Sequence, residues 1–139
     1  MRVLFDTDVV LDVVLAREPF AQESAQLFKL HEQRKIDAHI AAITPINVFY
    51  VTRKLKGPRE AQQAVELLLS SLAVYLDHSV LDQAYKLPFG DYEDAVQNAS
   101  AVASGLDVII TRDIKDYGNA TLPVFSPTDF LIKLKSEPT

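Results

Sequence analysis

Residues 1–12 read MRVLFDTDVVLD, and the step from Val3-Leu4-Phe5 to Asp6-Thr7-Asp8 decides how the rest of the chain is read. Three consecutive apolar residues without polar alternation suit a strand buried on both faces. From Val9 to Leu15 the pattern turns helical, with Asp8 as the expected N-cap. Asp6 sits between the two, directly after a buried strand, where an acid has no evident structural duty.

The same alternation recurs outward from this stretch. Pro19 interrupts, and Phe20 to Gln33 continues helically. Ile40 to Ile43 is a second predicted strand. Thr44-Pro45, a cap followed by proline, opens a helix that runs to about Lys56 and stops at Gly57. Pro58 starts another helix, ending near Ser71, and Val74-Tyr75-Leu76 is a third strand. Ser79 and Asp82 have the spacing of a capping box, with Asp in place of Glu. Asp91 caps a long helix from Tyr92 to Ser104, closed by Gly105. Val108-Ile109-Ile110 and Val124-Phe125 complete the strands, and Ser126-Pro127 opens a last helix to about Lys135. Continuously apolar strands alternating with helices define an α/β fold, with a central, mostly parallel sheet of about five short strands flanked by helices. No repeat, linker or low-complexity tract divides the chain, so residues 1–139 are expected to form a single domain.

Composition narrows the functional classes. At 139 residues and 48% hydrophobic, the chain can build a core without staples. It has no cysteine, which excludes disulfides, thiolate metal sites and cysteine nucleophiles and fits a reducing compartment. No apolar run approaches the ~18 residues of a membrane span, and an acid at the sixth position is unlike a signal peptide. A cytoplasmic protein without membrane contact is expected. Nineteen acids against fourteen bases give a net charge of −5, so a polyanion would have to meet a local basic patch or bound cations.

In parallel sheets ligands bind beyond the carboxyl ends of the strands. Asp6, Thr7 and Asp8 follow the first strand, and Thr111, Arg112 and Asp113 follow the fourth. Asp91, Asp94 and Asn98, spaced by three and four, share one helix face. If that helix starts near the strand ends, Asp6, Asp94 and Asp113 converge, with Asp91 and Asp116 at the rim. Carboxylates so crowded repel each other, and a hard cation such as Mg²⁺ or Mn²⁺ relieves this. Such ions polarise a phosphodiester and acidify bound water. Each acid taken singly also has a plain structural use. Asp91 can be only a cap, Asp94 a first-turn acid, and Asp113 and Asp116 turn residues.

At these residues the chain resembles the PIN-domain family, whose best-known members are VapC-like toxin ribonucleases. VLFDTDVVLD is similar to that family's strand and Asp-Thr-Asn opening, DAVQNASA from Asp94 to its Asp-led helix, and IITRDIKDY from Ile109 to its Thr-Arg-Asp segment. SPTDFL is similar to its start of a last helix. The resemblance spans nearly the whole chain. It implies a three-layer PIN-like domain and an Mg²⁺- or Mn²⁺-dependent endoribonuclease. Asp6, Asp94 and Asp113 would be the catalytic ligands, with Asp91 and Asp116 joining them at the metal. Thr7, Asp8, Asn47, Asn98 and Thr111 would lie close by. It also implies a homodimer and, for a toxin, a small antitoxin protein.

Two positions depart from the family pattern. Asp8 stands where the family has Asn, and Asn47 where it has a Glu early in the helix after the second strand. Asn47 offers an oxygen without charge, which points to a retuned or attenuated site. For RNA, Arg112 is the candidate for the scissile phosphate and Arg53 and Lys54 for flanking phosphates, with Arg17 a further cation. The structural alternative for Arg53 and Lys54 is a solvated helix end. His31, His39 and His78 lack metal-ligand spacing, and Phe49 and Tyr50 read as core or dimer contacts.

Two other functions compete. One is a non-catalytic RNA-binding or regulatory protein on the same fold, suggested by Asn47. The other is a phosphatase of the haloacid-dehalogenase type. Phe5-Asp6-Thr7-Asp8-Val9-Val10 resembles that family's signature, although Lys86-Leu87-Pro88-Phe89 is a poor version of the strand its late acidic motif needs.

Overall fold

The computed structural model describes residues 1–75 and 77–137. The first strand, β1 (Arg2–Phe5), leads into α1 (Thr7–Val14) and α2 (Ala21–Glu32). Next come β2 (Asp37–Ala41), α3 (Ile43–Lys56), α4 (Pro58–Ser71) and β3 (Ala73–Tyr75). Then follow α5 (His78–Lys86), α6 (Tyr92–Ala103) and β4 (Val108–Ile110). A single 3₁₀ turn (Ile114–Tyr117), β5 (Val124–Phe125) and α7 (Pro127–Ser136) end the described chain.

All strand pairs are parallel, and the spatial order is β3-β2-β1-β4-β5. Sequence order therefore reverses at β1, which pairs with β2 on one side and β4 on the other. Crossovers of one hand, built outward in opposite directions from a central strand, place helices on opposite faces of the sheet. Val3, Phe5, Ala38, Ile40, Val108 and Ile110 face α1, α2, α3, α4 and α7 and form the main core. Leu4 and Ile109, pointing the other way, meet Ala101 of α6 together with Leu106 and Tyr117. α5 packs outside α6, through Val80 and Ala84 against Ala95, Val96 and Ala99. Helices thus cover both faces of the sheet, as the sequence reading expected.

Several element starts differ from that reading. Asp6, not Asp8, caps α1; its carboxylate accepts from the Thr7 N–H, and the helix begins two residues earlier than expected. β2 lies at Asp37–Ala41 rather than at Ile40–Ile43, because it pairs from Asp37 against Arg2, and Ile43 is already helical. α3 has Ala42 at its N-cap, so Thr44 and Pro45 sit inside the first turn. No i−4 bond is asked of a first-turn N–H, which leaves proline at no disadvantage there. The Thr44 hydroxyl bonds that of Thr7 at 2.9 Å instead of capping. α5 is capped by Asp77, which accepts from the Val80 N–H at 3.0 Å, and not by the Ser79–Asp82 pair. The third strand lies at Ala73–Tyr75, and Leu76 lies outside the described residues.

His31 has a structural task. Its Nδ1 accepts from the Ala38 N–H at 3.1 Å, which leaves Nε2–H to donate to the Ser71 carbonyl at 2.7 Å. One side chain thereby joins α2, β2 and the end of α4. Gly57, at φ +96°, supplies the left-handed residue that turns α3 into α4. Among the described residues no helix is long and apolar enough to cross a membrane.

Phe130 of α7 is fully buried in the main core and does not line the acidic cleft described below. Phe130→Ala is expected to destabilise the fold by about 3–5 kcal/mol. Urea unfolding checks this, and a loss below about 1 kcal/mol would contradict the core assignment.

Candidate active site

The reversal of strand order leaves a crevice where β1 and β4 end side by side. Alternation along β1 turns Asp6 to the same face as Leu4, toward α6. The Asp6 N–H donates to the Ile110 carbonyl at 2.9 Å, extending the ladder by one bond. Its carboxylate is buried, and its Oδ2 accepts from the Thr111 hydroxyl at 2.6 Å. The same hydroxyl accepts from the Asp113 N–H at 3.0 Å, so Thr111 fixes the turn after β4 and the acid after β1 together.

Asp91 caps α6 by accepting from the Asp94 N–H at 3.1 Å. This aims the positive end of α6, carrying Glu93 and Asp94, at the crevice. The second turn of α3 brings Asn47 to its lining. The resulting open cleft, about 390 Å³, is lined by Asp6, Thr7, Asp8, Asp91, Glu93, Asp94, Asp113 and Asp116, together with Asn47, Tyr50, Val51 and Leu11. Seven of these side chains are carboxylates and none is cationic.

Electrostatics follow from this crowding. Burial pushes Asp6 above the ordinary carboxylate value, against hydrogen bonds from Thr111 and Thr7 and the nearby Gln97 amide, all of which favour its charge. Burial, then Asp6 and Asp113, push Asp8 up to about 8. Asp94 is raised to about 7 by burial and by Asp6, Asp91 and Asp116. Burial, with Asp6, Asp94 and Asp8 around it, holds the Tyr117 phenol far above its usual value, so it stays a neutral donor.

Most of the expected residues come together, and some are used differently. Asp6, Asp94, Asp113, Asp91 and Asp116 all line the cleft, as do Thr7, Asp8 and Asn47. Asn98 does not. It is buried, its amide donates to the Thr121 hydroxyl at 3.3 Å, and its carbonyl accepts from the Thr121 N–H at 3.2 Å. The sheet-facing row of α6 is Asp94, Gln97 and Ala101, so the residue four beyond Asp94 turns toward the Thr121 loop.

Arg112, partly exposed, is engaged by a buried carboxylate. Its Nε and terminal nitrogen bind Asp12 at 2.9 and 3.1 Å, and its guanidinium lies 4.0 Å above the Phe20 ring. Asp12 is 1% exposed, and a buried carboxylate needs such a fork. Arg17 approaches the same carboxylate at 3.9 Å. Arg53 and Lys54 are exposed on α3, roughly 10 Å of helix axis beyond Asn47, and do not line the cleft. Tyr50 is exposed on the cleft wall, edge-on to Phe49 at 5.2 Å, and not in the core.

Gln97, Glu93, Asp12 and Tyr117 were not singled out from sequence. Glu93 and Gln97 flank the Asp94 motif at helical spacing, and Tyr117 directly follows Asp116, which was the available signal.

The donor set is oxygen throughout, which suits a hard divalent cation and not a soft one. Among the described residues no three acidic or histidine side chains already form a ready-made metal site. Mg²⁺ keeps several waters and needs only a few direct carboxylate ligands, so the cleft fits such an ion by its chemistry.

A PIN-domain family model matches residues 2–115. The chain belongs to the PIN-domain family. A comparison with curated proteins found no match. Among solved structures, the fold is similar to the VapBC complex of Salmonella typhimurium bound to DNA, at 20% identity and TM-score 0.71, covering 91% of this chain and 98% of that one. It is similar to a toxin–antitoxin complex of Klebsiella pneumoniae, at 23% identity and TM-score 0.65, over 90% and 97% of the two chains. A third is VapC20 of Mycobacterium tuberculosis, described as a Sarcin-Ricin loop cleaving toxin, at 13% identity and TM-score 0.67, over 84% and 95%. Membership in the PIN-domain family removes the basis of the phosphatase reading. The segment before Asp91 is also no strand, as that reading required.

The raised carboxylates set a pH dependence. Between about pH 4 and pH 8 the folded chain holds protons on Asp94 and Asp8 that the unfolded chain has released. Their contribution to stability is therefore complete at low pH and lost as pH rises through about 7 and 8. The ion-free protein should melt higher at pH 5 than at pH 8, and Mn²⁺ should restore the loss at pH 8. Scanning calorimetry at both pH values tests this, and a higher melting temperature at pH 8 without metal would contradict it.

Proposed function

We propose that this chain is an Mg²⁺- or Mn²⁺-dependent endoribonuclease that hydrolyses RNA phosphodiesters, the toxin of a toxin–antitoxin pair. The observation that carries the reading is the convergence, in one cleft, of carboxylates from the ends of β1 and β4 and the start of α6, with no cation among them. Family membership supports it. So does the likeness to a protein described as a Sarcin-Ricin loop cleaving toxin and to a toxin–antitoxin complex.

In this reading Asp6, Asp94 and Asp113 hold the ion, with Asp91 and Asp116 beside them, and Asp8 adds charge from the first turn of α1. When bound, such an ion would supply charge neutralisation at a scissile phosphate and would lower the pKa of a coordinated water. Thr111 keeps the Asp6 carboxylate oriented through its 2.6 Å hydrogen bond. Asn47 lends an uncharged oxygen from α3. Arg53 and Lys54, exposed further along α3, meet flanking phosphates. Arg112 braces α1 through Asp12 and is not assigned to the scissile phosphate. We read residues 1–139 as one PIN-like unit acting in the cytoplasm, as a homodimer, blocked by a small antitoxin protein.

The test is cleavage of structured RNA by purified protein with Mn²⁺, against an Asp6→Asn/Asp94→Asn variant. The double variant should lose activity on the order of a hundredfold, the scale of several kcal/mol of charge stabilisation. Equal cleavage by both proteins, or cleavage undiminished by EDTA, would overturn the reading.

A second reading, an attenuated RNA-binding regulator, is favoured by Asn47 alone. Asn47→Glu should then raise both Mn²⁺ affinity and cleavage rate by about tenfold. An unchanged rate would show that position 47 lies outside the reactive centre.

A further inference from the structure

We infer that Tyr117 and Gln97 are positioning residues for the Asp6 carboxylate, two neutral donors buried beneath the acidic cleft that orient it toward a bound divalent cation. The inference deepens the metal-dependent reading above and rests on it.

Tyr117 is 3% exposed, and its ring packs edge-on to Phe89 at 5.9 Å and against Leu4, Ala101 and Ile109. That is the sheet face to which Asp6 turns. Gln97 is fully buried on α6, and its Oε1 accepts from the Thr7 N–H at 3.0 Å. This bond fixes the amide so that Nε2 is the atom left over. Both the Tyr117 hydroxyl and the Gln97 Nε2 are buried without a hydrogen-bond partner. Buried donors are almost always answered, and two orphans in one place ask for an acceptor.

The proposed acceptor is Asp6, which the two donors meet when its carboxylate turns toward a bound cation. At hydrogen-bond geometry it accepts from Thr7 at 2.6 Å and Thr111 at 2.6 Å. A carboxylate has about four lone-pair sites, so roughly two remain. Its charge is the foremost of those acting on the Tyr117 hydroxyl, and the Gln97 amide favours that charge in turn. Donors behind a ligating carboxylate lock its orientation and sharpen metal affinity.

A purely structural role predicts a lower ion-free melting temperature with Mn²⁺ affinity unchanged, which makes the pair testable. In the ion-free protein the Tyr117 hydroxyl has no partner, so removing it by Tyr117→Phe leaves the fold as stable or more stable. The full chain, its Tyr117→Phe variant and its Gln97→Leu variant are titrated with Mn²⁺ by calorimetry, and their ion-free melting temperatures are measured. Tyr117→Phe should keep or raise the melting temperature yet bind Mn²⁺ about tenfold more weakly, and Gln97→Leu should weaken binding similarly. Tyr117→Phe removes a single atom, so the test stands even if Gln97→Leu fails to fold. Mn²⁺ affinity of Tyr117→Phe within twofold of the unmodified chain overturns the inference alone. Absence of Mn²⁺ binding by the unmodified chain overturns the metal-dependent reading and this inference together.

Discussion

Repulsion among carboxylates held at one edge of a parallel sheet is the constraint on which the site depends. The fold creates it in three places at once. β1 ends at Asp6, β4 ends beside Asp113, and the start of α6 delivers Asp94 over both. The strand register fixes the end of β1, the α6 cap fixes Asp94, and the Thr111 hydroxyl holds the Asp113 backbone. The reversal of strand order at β1 is what opens the crevice they share.

The protein supplies partial relief from its own parts. Helix N-termini favour anions by ~0.3–1 kcal/mol each, and Asp6, Asp8, Asp91 and Asp94 all sit at such ends. Thr111 and Thr7 donate directly to Asp6. Burial still wins, since Asp8 is raised to about 8 and Asp94 to about 7 in spite of these aids. What remains unbalanced is a concentration of negative charge facing solvent in an open cleft. In the proposed reading an external cation would complete it, which would let a phosphodiester approach a protein whose net charge is −5.

Much of this could be read in the amino-acid order, because the informative signals are local. A strand that ends on an acid, an Asp cap followed by an acid three residues on, and a closing glycine each act over a few residues, and Asp6, Asp91, Asp94 and Gly105 stand where such rules place them. The misreadings come from partners distant in sequence. Asn98 shares the helical spacing of Asp94, but a loop more than twenty residues later captures it. Arg112 reads as a free cation because Asp12, which holds it, lies a hundred residues earlier. Thr44 looks like a cap until Thr7 engages its hydroxyl across the fold. Gln97 and Tyr117 escaped notice because an amide and a phenol at helical spacing read as ordinary polar positions. Only the packing of α6 on the sheet shows what lies above them.

The account's central claim is that the acids at positions 6, 94 and 113 share one inorganic counter-charge. Anomalous diffraction from a crystal soaked in Mn²⁺ tests it most directly. The expected result is a manganese peak bounded by the side chains of Asp6, Asp94 and Asp113. A well-ordered cleft without a peak under saturating Mn²⁺, or a peak bound only at sites elsewhere on the surface, would contradict it.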